Sequence, residues 1–238
     1  MSGWSRASQA LGELLGLRTV LLENDKWSRR EIARILDQAS SASEEDQKIL
    51  SGVVHAAANV WNDVVDRTLL KRILCIGMNS ANKDVGAAAL DWFRVVDELR
   101  VNDDTRPVLE ALAGGKALET LARRSHTLDR LGDVVDDAPD LVYRISRRVV
   151  DIFNDNIGNL ATFAALESET LLSIAMTLQR QEEPHRTHGL ELFELLLHYN
   201  AYRVRDVLMD IDRRPGMSVA VSKILRRRRD RRPRSRRS

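Results

Sequence analysis

The sequence predicts an all-α protein, and three observations lead to this prediction. Apolar residues recur at helical spacing along several segments of the chain. Only 5% of the 238 residues are aromatic, and runs of β-branched residues bounded by turns are hard to find. The chain is 43% hydrophobic and 30% charged, with only 12 Gly and 5 Pro, which fits a folded helical protein and excludes a wholly disordered one. We therefore expect antiparallel helix pairs stacked as a short, irregular α-solenoid, with a compact multi-helix bundle as the alternative.

The N-terminal part of the chain is predicted to form four helices. The first two are a short candidate over residues 8–15 and a stronger one over residues 28–39. An acidic run that begins at Glu44 suits the positive end of a helix dipole, so a third helix is expected to start there. A fourth helix is expected over residues 67–78, and residues 79–86 are interpreted as a turn.

Glycine and proline delimit the helices in the middle of the chain. Gly114 and Gly115 are expected to end the helix that follows Pro107, and Pro139 is expected to open another helix. In that helix one face carries the apolar residues Leu141, Ile145, Val149 and Ile152, and the other side carries Arg144, Arg147, Arg148 and Asp151. The apolar face must therefore meet a neighbouring element.

An approximate internal repeat indicates how the helices are arranged. The segment Ala89-Leu90-Asp91-Trp92-Phe93 recurs one hundred residues later as Gly189-Leu190-Glu191-Leu192-Phe193. Each copy follows an apolar helix that begins with a leucine pair, Leu69-Leu70 or Leu171-Leu172, and precedes an asparagine and a further helix. Helical periodicity alone can produce such a match between two leucine-rich helices. Because the flanking segments correspond as well, we interpret the match as a three-helix pattern that occurs twice.

The second copy resembles a unit of the HEAT and armadillo repeat proteins. An apolar helix from Leu171 is followed by a short charged turn over residues 181–186, a second helix through Leu197 and a third helix after Asn200. The resemblance extends over residues 28–213 and implies helix pairs stacked into a curved surface that binds partners, commonly within a larger multidomain protein.

This resemblance also suggests a division of the chain into three parts. Residues 1–27 would be a helical lead-in, residues 28–213 the helical-repeat body, and residues 214–238 a C-terminal helix with a disordered, arginine-rich tail.

The C-terminal segment is strongly basic. Residues 226–238 hold nine arginines and one aspartate, and since the net charge is +2, the rest of the chain carries about −6. The arginines are Arg226, Arg227, Arg228, Arg229, Arg231, Arg232, Arg234, Arg236 and Arg237. They could neutralise nucleic-acid phosphates with a salt-sensitive, sequence-independent affinity. A solubilising terminus, or a contact with an acidic protein surface, explains the same composition equally well.

The familiar catalytic motifs are missing from the sequence. It contains no Gly-Lys-Ser/Thr phosphate loop, no Gly-x-Ser-x-Gly elbow and no His-Glu-x-x-His helix. The single cysteine, Cys75, excludes an intramolecular disulfide and a cysteine-based zinc site. Its apolar neighbours predict a small buried side chain rather than a reactive thiol. We therefore expect no enzymatic activity and no cofactor.

A histidine pair is the one candidate for metal binding. His185, His188 and Glu191 have the spacing i, i+3 and i+6, so the two histidines could share a helix face and bind a metal with a third ligand from elsewhere. A solvated turn without a metal is the favoured interpretation, because a single histidine pair is poorly specific.

Other conspicuous residues have structural explanations. The carboxylates Asp63, Asp66, Asp136, Asp137 and Asp140 could serve acid–base chemistry in pairs, but charges at helix starts explain them. The aromatic residues Trp61, Trp92, Phe93 and Phe193 are expected to be core anchors rather than stacking platforms for bases.

These features favour a non-catalytic helical-repeat scaffold or regulatory module that binds a protein partner and could form the C-terminal part of a larger multidomain protein. The alternative is a nucleic-acid-binding accessory protein, in which the arginine tail supplies affinity and Arg144, Arg147 and Arg148 supply position. No secretory signal pattern is found, and the longest uncharged run, residues 49–62, is shorter than the roughly 20 residues that cross a bilayer. We expect a cytoplasmic protein without membrane contact and leave its oligomeric state open.

Overall fold

The computed structural model describes residues 30, 36, 44–123, 128–155, 168–198, 204–213 and 218–231. From residue 44 onward these ranges contain ten α-helices, two 3₁₀ helices and no β-strand, so the all-α prediction is confirmed. None of the described helices is long and apolar enough to span a membrane. The chain divides into two compact units, Met1–Asp137 and Ala138–Ser238. The boundary between the units lies within residues 28–213, which the sequence predicts to be one helical-repeat body.

The first unit contains five of the described helices. They are α1 (Glu44–Asn59), α2 (Thr68–Asn79), α3 (Lys83–Leu90), α4 (Trp92–Val95) and α5 (Thr105–Gly114), and 3₁₀ helices follow over Ala117–Arg123 and Asp129–Val134. α1 packs on α2 and α3, and α2 packs on α5. The helix starts predicted at Glu44 and near residue 67 are confirmed to within one residue.

The predicted turn over residues 79–86 is wrong in its second half. α3 already begins at Lys83, because the side chain of Asn82 caps it by accepting hydrogen bonds from the N–H groups of Asp84 and Val85. Gly86 therefore lies inside α3. A Cβ atom on Gly86 would be 3.2 Å from the Cα atom of Ala117, so this glycine permits a close contact with a 3₁₀ helix rather than a turn.

The aromatic core of the first unit joins the end of α1 to α4. Trp61 and Trp92 meet edge to face with ring centroids 5.3 Å apart, and Phe93 lies 5.0 Å from Trp92. All three side chains are at most 1% exposed, which confirms them as core anchors. Aromatic pairs of this kind contribute about 0.5–1.5 kcal/mol beyond the burial of their area.

The second unit contains the other five helices. They are α6 (Pro139–Asp155), α7 (Ser168–Arg180), α8 (His185–His198), α9 (Val204–Asp212) and α10 (Ser218–Arg231). α8 is central, since it packs on α6, α7, α9 and α10, and its Phe193 is fully buried as predicted. The apolar face predicted for α6 is buried at Leu141, Ile145 and Val149 and partly buried at Ile152.

Glycine permits a close contact between two helices in each unit. A Cβ atom on Gly77 of α2 would lie 2.9 Å from the Cβ atom of Ala89 in α3 and 2.8 Å from Cγ1 of Val54. A Cβ atom on Gly189 of α8 would lie 2.5 Å from the backbone nitrogen of Gln179 in α7. Because real Cβ atoms essentially never approach within 3.0 Å of another heavy atom, neither glycine can be replaced unless its neighbours move.

Several predicted features lie outside the described residues. They are the lead-in over residues 1–27, most of the candidate helix over residues 28–39, and four tail arginines, Arg232, Arg234, Arg236 and Arg237.

Candidate functional site

The arginine-rich segment begins on a helix that is anchored in the second unit. Val221 and Ile224 of α10 are 0% and 6% exposed, where α10 packs on α8 and α9. Arg226 is exposed on the same helix. Arg227, Arg228, Arg229 and Arg231 also belong to α10, which ends at Arg231.

Arginine occupies five of the last six positions of α10, and only Asp230 interrupts the run. Successive residues of a helix are rotated by about 100°, so these arginine positions surround the helix axis. No side of this part of the helix could pack on an apolar surface without burying a guanidinium group, which is costly unless the group is paired. The chemistry that suits the segment is pairing with anions, since guanidinium groups bind phosphate and carboxylate through two parallel hydrogen bonds.

The arginines of α6 that could form a second basic surface differ in their surroundings. Arg144 is exposed, whereas Arg147 and Arg148 are half-buried. Nε of Arg147 lies 3.3 Å from both carboxylate oxygens of Asp151, one turn further along the helix. The charge of Arg147 is therefore balanced locally, and Arg144 is better placed than Arg147 to meet a phosphate.

A cluster of two histidines and one aspartate forms where α6 and α8 begin. Oδ1 of Asp140 lies 3.3 Å from Nδ1 of His185 and 3.7 Å from Nδ1 of His188. Asp140 is the second residue of α6, and the histidines occupy the first and fourth positions of α8. Each histidine side chain is only 23% exposed, so the favoured interpretation of a solvated turn does not describe this site.

Both Nδ1 atoms of the cluster are buried, and neither makes a hydrogen bond. The contact between His185 and Asp140 is short enough for an ion pair, but its angles are not those of a hydrogen bond. A buried polar atom without a partner costs about 1–3 kcal/mol. The three atoms that could act as ligands lie within 4.8 Å of one another.

Tyr143 and Glu191 flank the cluster. The Tyr143 ring stacks on His188, with centroids 4.0 Å apart and planes inclined by 3°, and its hydroxyl donates a hydrogen bond to Oε2 of Glu191. Burial raises the pKa of Tyr143 to about 12, the hydrogen bond and charge of Glu191 act in the same direction, and Arg147 opposes them. The phenol is therefore a neutral donor at physiological pH, and its ring restricts the orientation of His188.

Comparisons with known proteins assign no role to these residues. No family model, no curated protein and no solved structure matches it. The function of the chain is therefore inferred from the chemistry of its own side chains.

A second histidine–carboxylate pair lies in the first unit. Nδ1 of His55 is 3.1 Å from Oδ2 of Asp91, and Asp91 is only 6% exposed. The His55 side chain is 57% exposed, and within the described residues no third metal-type ligand joins this pair. The pair links α1 to the junction of α3 and α4.

Cys75 lies beside an open groove of about 680 Å³ in the first unit, together with Leu50, Arg72 and Ile76. Its side chain is half-buried rather than buried as predicted, and its thiol donates to the carbonyl of Pro107 over 3.5 Å. Burial raises the pKa of the Cys75 thiol, and the charge of Lys71 opposes that shift. The thiol is therefore protonated at neutral pH and a poor nucleophile.

The spacing of residues in the sequence identifies His185 and His188 but not their partner. Asp140 is one of five carboxylates that the sequence places at the surface, and the structure confirms that Asp63, Asp66, Asp136, Asp137 and Asp140 are exposed. The sequence predicts a third ligand from elsewhere without naming it, and Glu191, at position i+6 of the same spacing, bonds to Tyr143. No local signal identifies Asp140, because its contact with the histidines depends on how α6 packs on α8.

Proposed function

We propose that this chain is a non-catalytic helical scaffold that binds a polyanionic macromolecule through its arginine-rich C-terminal segment, with nucleic acid as the first candidate. The observation that carries the proposal is the run of arginines at the end of α10, a helix that packs on α8 and α9 and buries Val221 and Ile224. The helix pairs α2–α3 and α7–α8 would then be units of a short solenoid that supports the basic segment.

The composition of the segment favours nucleic acid over a protein surface. Protein interfaces are centred on an apolar core with aromatic residues, and the arginines that are enriched there accompany that core. Residues 226–238 contain no apolar side chain except Pro233. A run of guanidinium groups matches the regular charge of a phosphate backbone, where each contact releases a counterion and needs no particular base.

The test measures the affinity of the full chain for labelled duplex DNA and single-stranded RNA by fluorescence anisotropy over a series of salt concentrations. Replacing Arg226, Arg227, Arg228 and Arg229 with glutamine removes four charges. If each of them contacts a phosphate, the slope of log affinity against log salt on duplex DNA becomes shallower by about 3.6. Replacement of the same residues with lysine is the matched control, because it keeps the charges and should keep most of the slope.

Two results would contradict nucleic-acid binding. One is the lack of saturable binding by the full chain at low salt. The other is a glutamine variant with the affinity and salt slope of the unmodified protein.

A protein partner is the second candidate, favoured by apolar residues exposed on two helices that pack together. Met209 of α9 is 43% exposed and Val219 of α10 is 82% exposed. Affinity capture with a chain that lacks residues 226–238 should then retrieve a stoichiometric partner, and Met209→Glu with Val219→Glu should abolish that capture. If the truncated chain retrieves nothing, this candidate is excluded.

A further inference from the structure

We propose that Asp140, His185 and His188 bind a divalent transition-metal ion, and that Zn²⁺ is the ion that fits them best. Two imidazole nitrogens and one carboxylate oxygen are a donor set that zinc uses in proteins, with water or another ligand in the fourth position. This inference is independent of nucleic-acid binding, because none of the three residues belongs to the arginine-rich segment.

The distances between the donor atoms fit a tetrahedral ion. Ligands about 2.0–2.1 Å from a tetrahedral centre lie about 3.3–3.4 Å from one another. Oδ1 of Asp140 is 3.3 Å from Nδ1 of His185 and 3.7 Å from Nδ1 of His188, and each of the three residues offers a ligand atom within 4.8 Å of those of the other two. The site thus requires only small adjustments of the side chains to surround an ion.

The Nδ1 atoms of the two histidines also favour a metal ion at this site. Both Nδ1 atoms are buried and make no hydrogen bond, although each lies within 3.7 Å of the same carboxylate oxygen. A cation between the three atoms would satisfy both nitrogens at once. Tyr143 supports this arrangement, because its ring stacks on His188 and its hydroxyl is held by Glu191.

The donor types decide which ions compete. Imidazole nitrogen suits zinc, copper, nickel and cobalt, whereas Mg²⁺ and Ca²⁺ prefer sites made of oxygen. We therefore expect selectivity against Mg²⁺ and Ca²⁺. Among the transition metals, affinity alone does not favour zinc over copper.

The experiment uses the full chain after removal of metals with a chelator. Isothermal titration with Zn²⁺ should show saturable binding of one equivalent, and titration with Mg²⁺ or Ca²⁺ should show none. Co²⁺ should give the intense visible absorption of a tetrahedral complex, which addition of Zn²⁺ then abolishes.

Single substitutions assign the binding to these residues. Asp140→Asn, His185→Gln and His188→Gln should each raise the Kd for Zn²⁺ by at least about tenfold, since even residues that only orient metal ligands have effects of that size. His55→Gln is the matched control, because His55 also contacts a carboxylate but has no third ligand nearby among the described residues. It should leave the affinity unchanged.

A second measurement separates loss of the site from loss of the fold. Saturating Zn²⁺ should raise the midpoint of thermal unfolding of the unmodified chain and of His55→Gln, but not of His188→Gln, while all three show the same helical circular dichroism before metal is added. The proposal is overturned if the unmodified chain binds less than one equivalent of Zn²⁺. It is also overturned if His188→Gln binds Zn²⁺ as tightly as His55→Gln does.

Discussion

The two copies of the repeated segment, one in each unit, bury the same apolar positions but use their acidic residue differently. Both leucine pairs are buried, and Phe93 and Phe193 are at most 1% exposed. The acidic residue between the leucine pair and the phenylalanine is buried in one copy and exposed in the other. Asp91 contacts His55, whereas Glu191 bonds to Tyr143. The apolar pattern thus governs how a helix pair packs, and the element that lies opposite determines the chemistry of the polar position.

The close contact within each helix pair shows a second difference. When the leucine pairs are aligned, Gly77 corresponds to Gln179, and the repeated segment itself aligns Ala89 with Gly189. These corresponding positions contact each other in both units, but the glycine is on the first helix of one pair and on the second helix of the other. The contact therefore needs one small residue, and either helix can provide it.

The largest expected effect comes from filling these contacts. Gly189→Ala should lower the free energy of unfolding by about 3 kcal/mol, because the new methyl group meets the backbone of α7. Gly77→Ala should cost about 1–2 kcal/mol, since it meets the side chains of Val54 and Ala89, and Ala89→Gly in the same chain should recover part of that loss. Urea unfolding followed by circular dichroism measures these differences.

Gly52→Ala is the control for the glycine substitutions. Gly52 is exposed in α1, and a Cβ atom there would meet nothing within 4 Å. The substitution should raise stability by about 0.5–1 kcal/mol, because alanine loses less backbone entropy in a helix. If Gly189→Ala behaved like Gly52→Ala, the described contact between α7 and α8 would be wrong.

Substitutions of the two acidic residues should not exceed the effect of Gly189→Ala. Asp91→Ala should lower stability by about 1–3 kcal/mol, because it removes a buried carboxylate that holds His55. Glu191→Ala should change stability by no more than about 0.5 kcal/mol, since Glu191 is exposed. A double-mutant cycle with His55→Ala measures the coupling free energy between Asp91 and His55. If Asp91→Ala and Glu191→Ala lowered the free energy of unfolding equally, the two copies would not differ at this position.

The smallest effect concerns the titration of Tyr143. Its pKa of about 12 should fall towards the usual value of 10.0 in Glu191→Gln but stay above it, because burial is the largest cause of the shift. Since the folded pKa is the higher one, the resulting contribution to stability is fully present below pH 10.0 and is lost as the pH rises through about 12.

The ultraviolet absorbance of ionised tyrosine measures this titration, and Tyr143→Phe identifies the residue among the three tyrosines of the chain. Alkaline unfolding curves of the same variants measure the loss of stability. A spectrum in which all three tyrosines ionise together near pH 10 would contradict the described burial of Tyr143 and its contact with Glu191.

Local patterns predict much of the fold, because they depend on neighbours in the sequence. The acidic start of α1, the proline that opens α6 and the apolar face of α6 are all found where the sequence predicts them. Gly86 shows where such patterns fail. Glycine suggests a turn, but here it serves a contact with a segment some thirty residues further along the chain, which no local pattern reveals.

The candidate metal site was predictable only in part for the same reason. The spacing of His185 and His188 is enough to identify a helix face that the two side chains share. The position of Asp140 beside the two histidines depends on the packing of α6 against α8. The stacking of Tyr143 on His188 depends on the same packing. Side chains brought together by tertiary structure leave no trace in the spacing of residues along either helix.

The exchange of glycine between the two helices of a pair has an evolutionary consequence. A methyl group gained at position 77 would meet the side chains of Val54 and Ala89, whereas one gained at position 189 would meet the backbone of Ala175 and Gln179. Sequences that descend from a common ancestor of this chain should therefore show correlated substitutions among positions 54, 77 and 89, and should keep glycine at position 189. Such covariation would identify the helix contacts in relatives for which no structure is known.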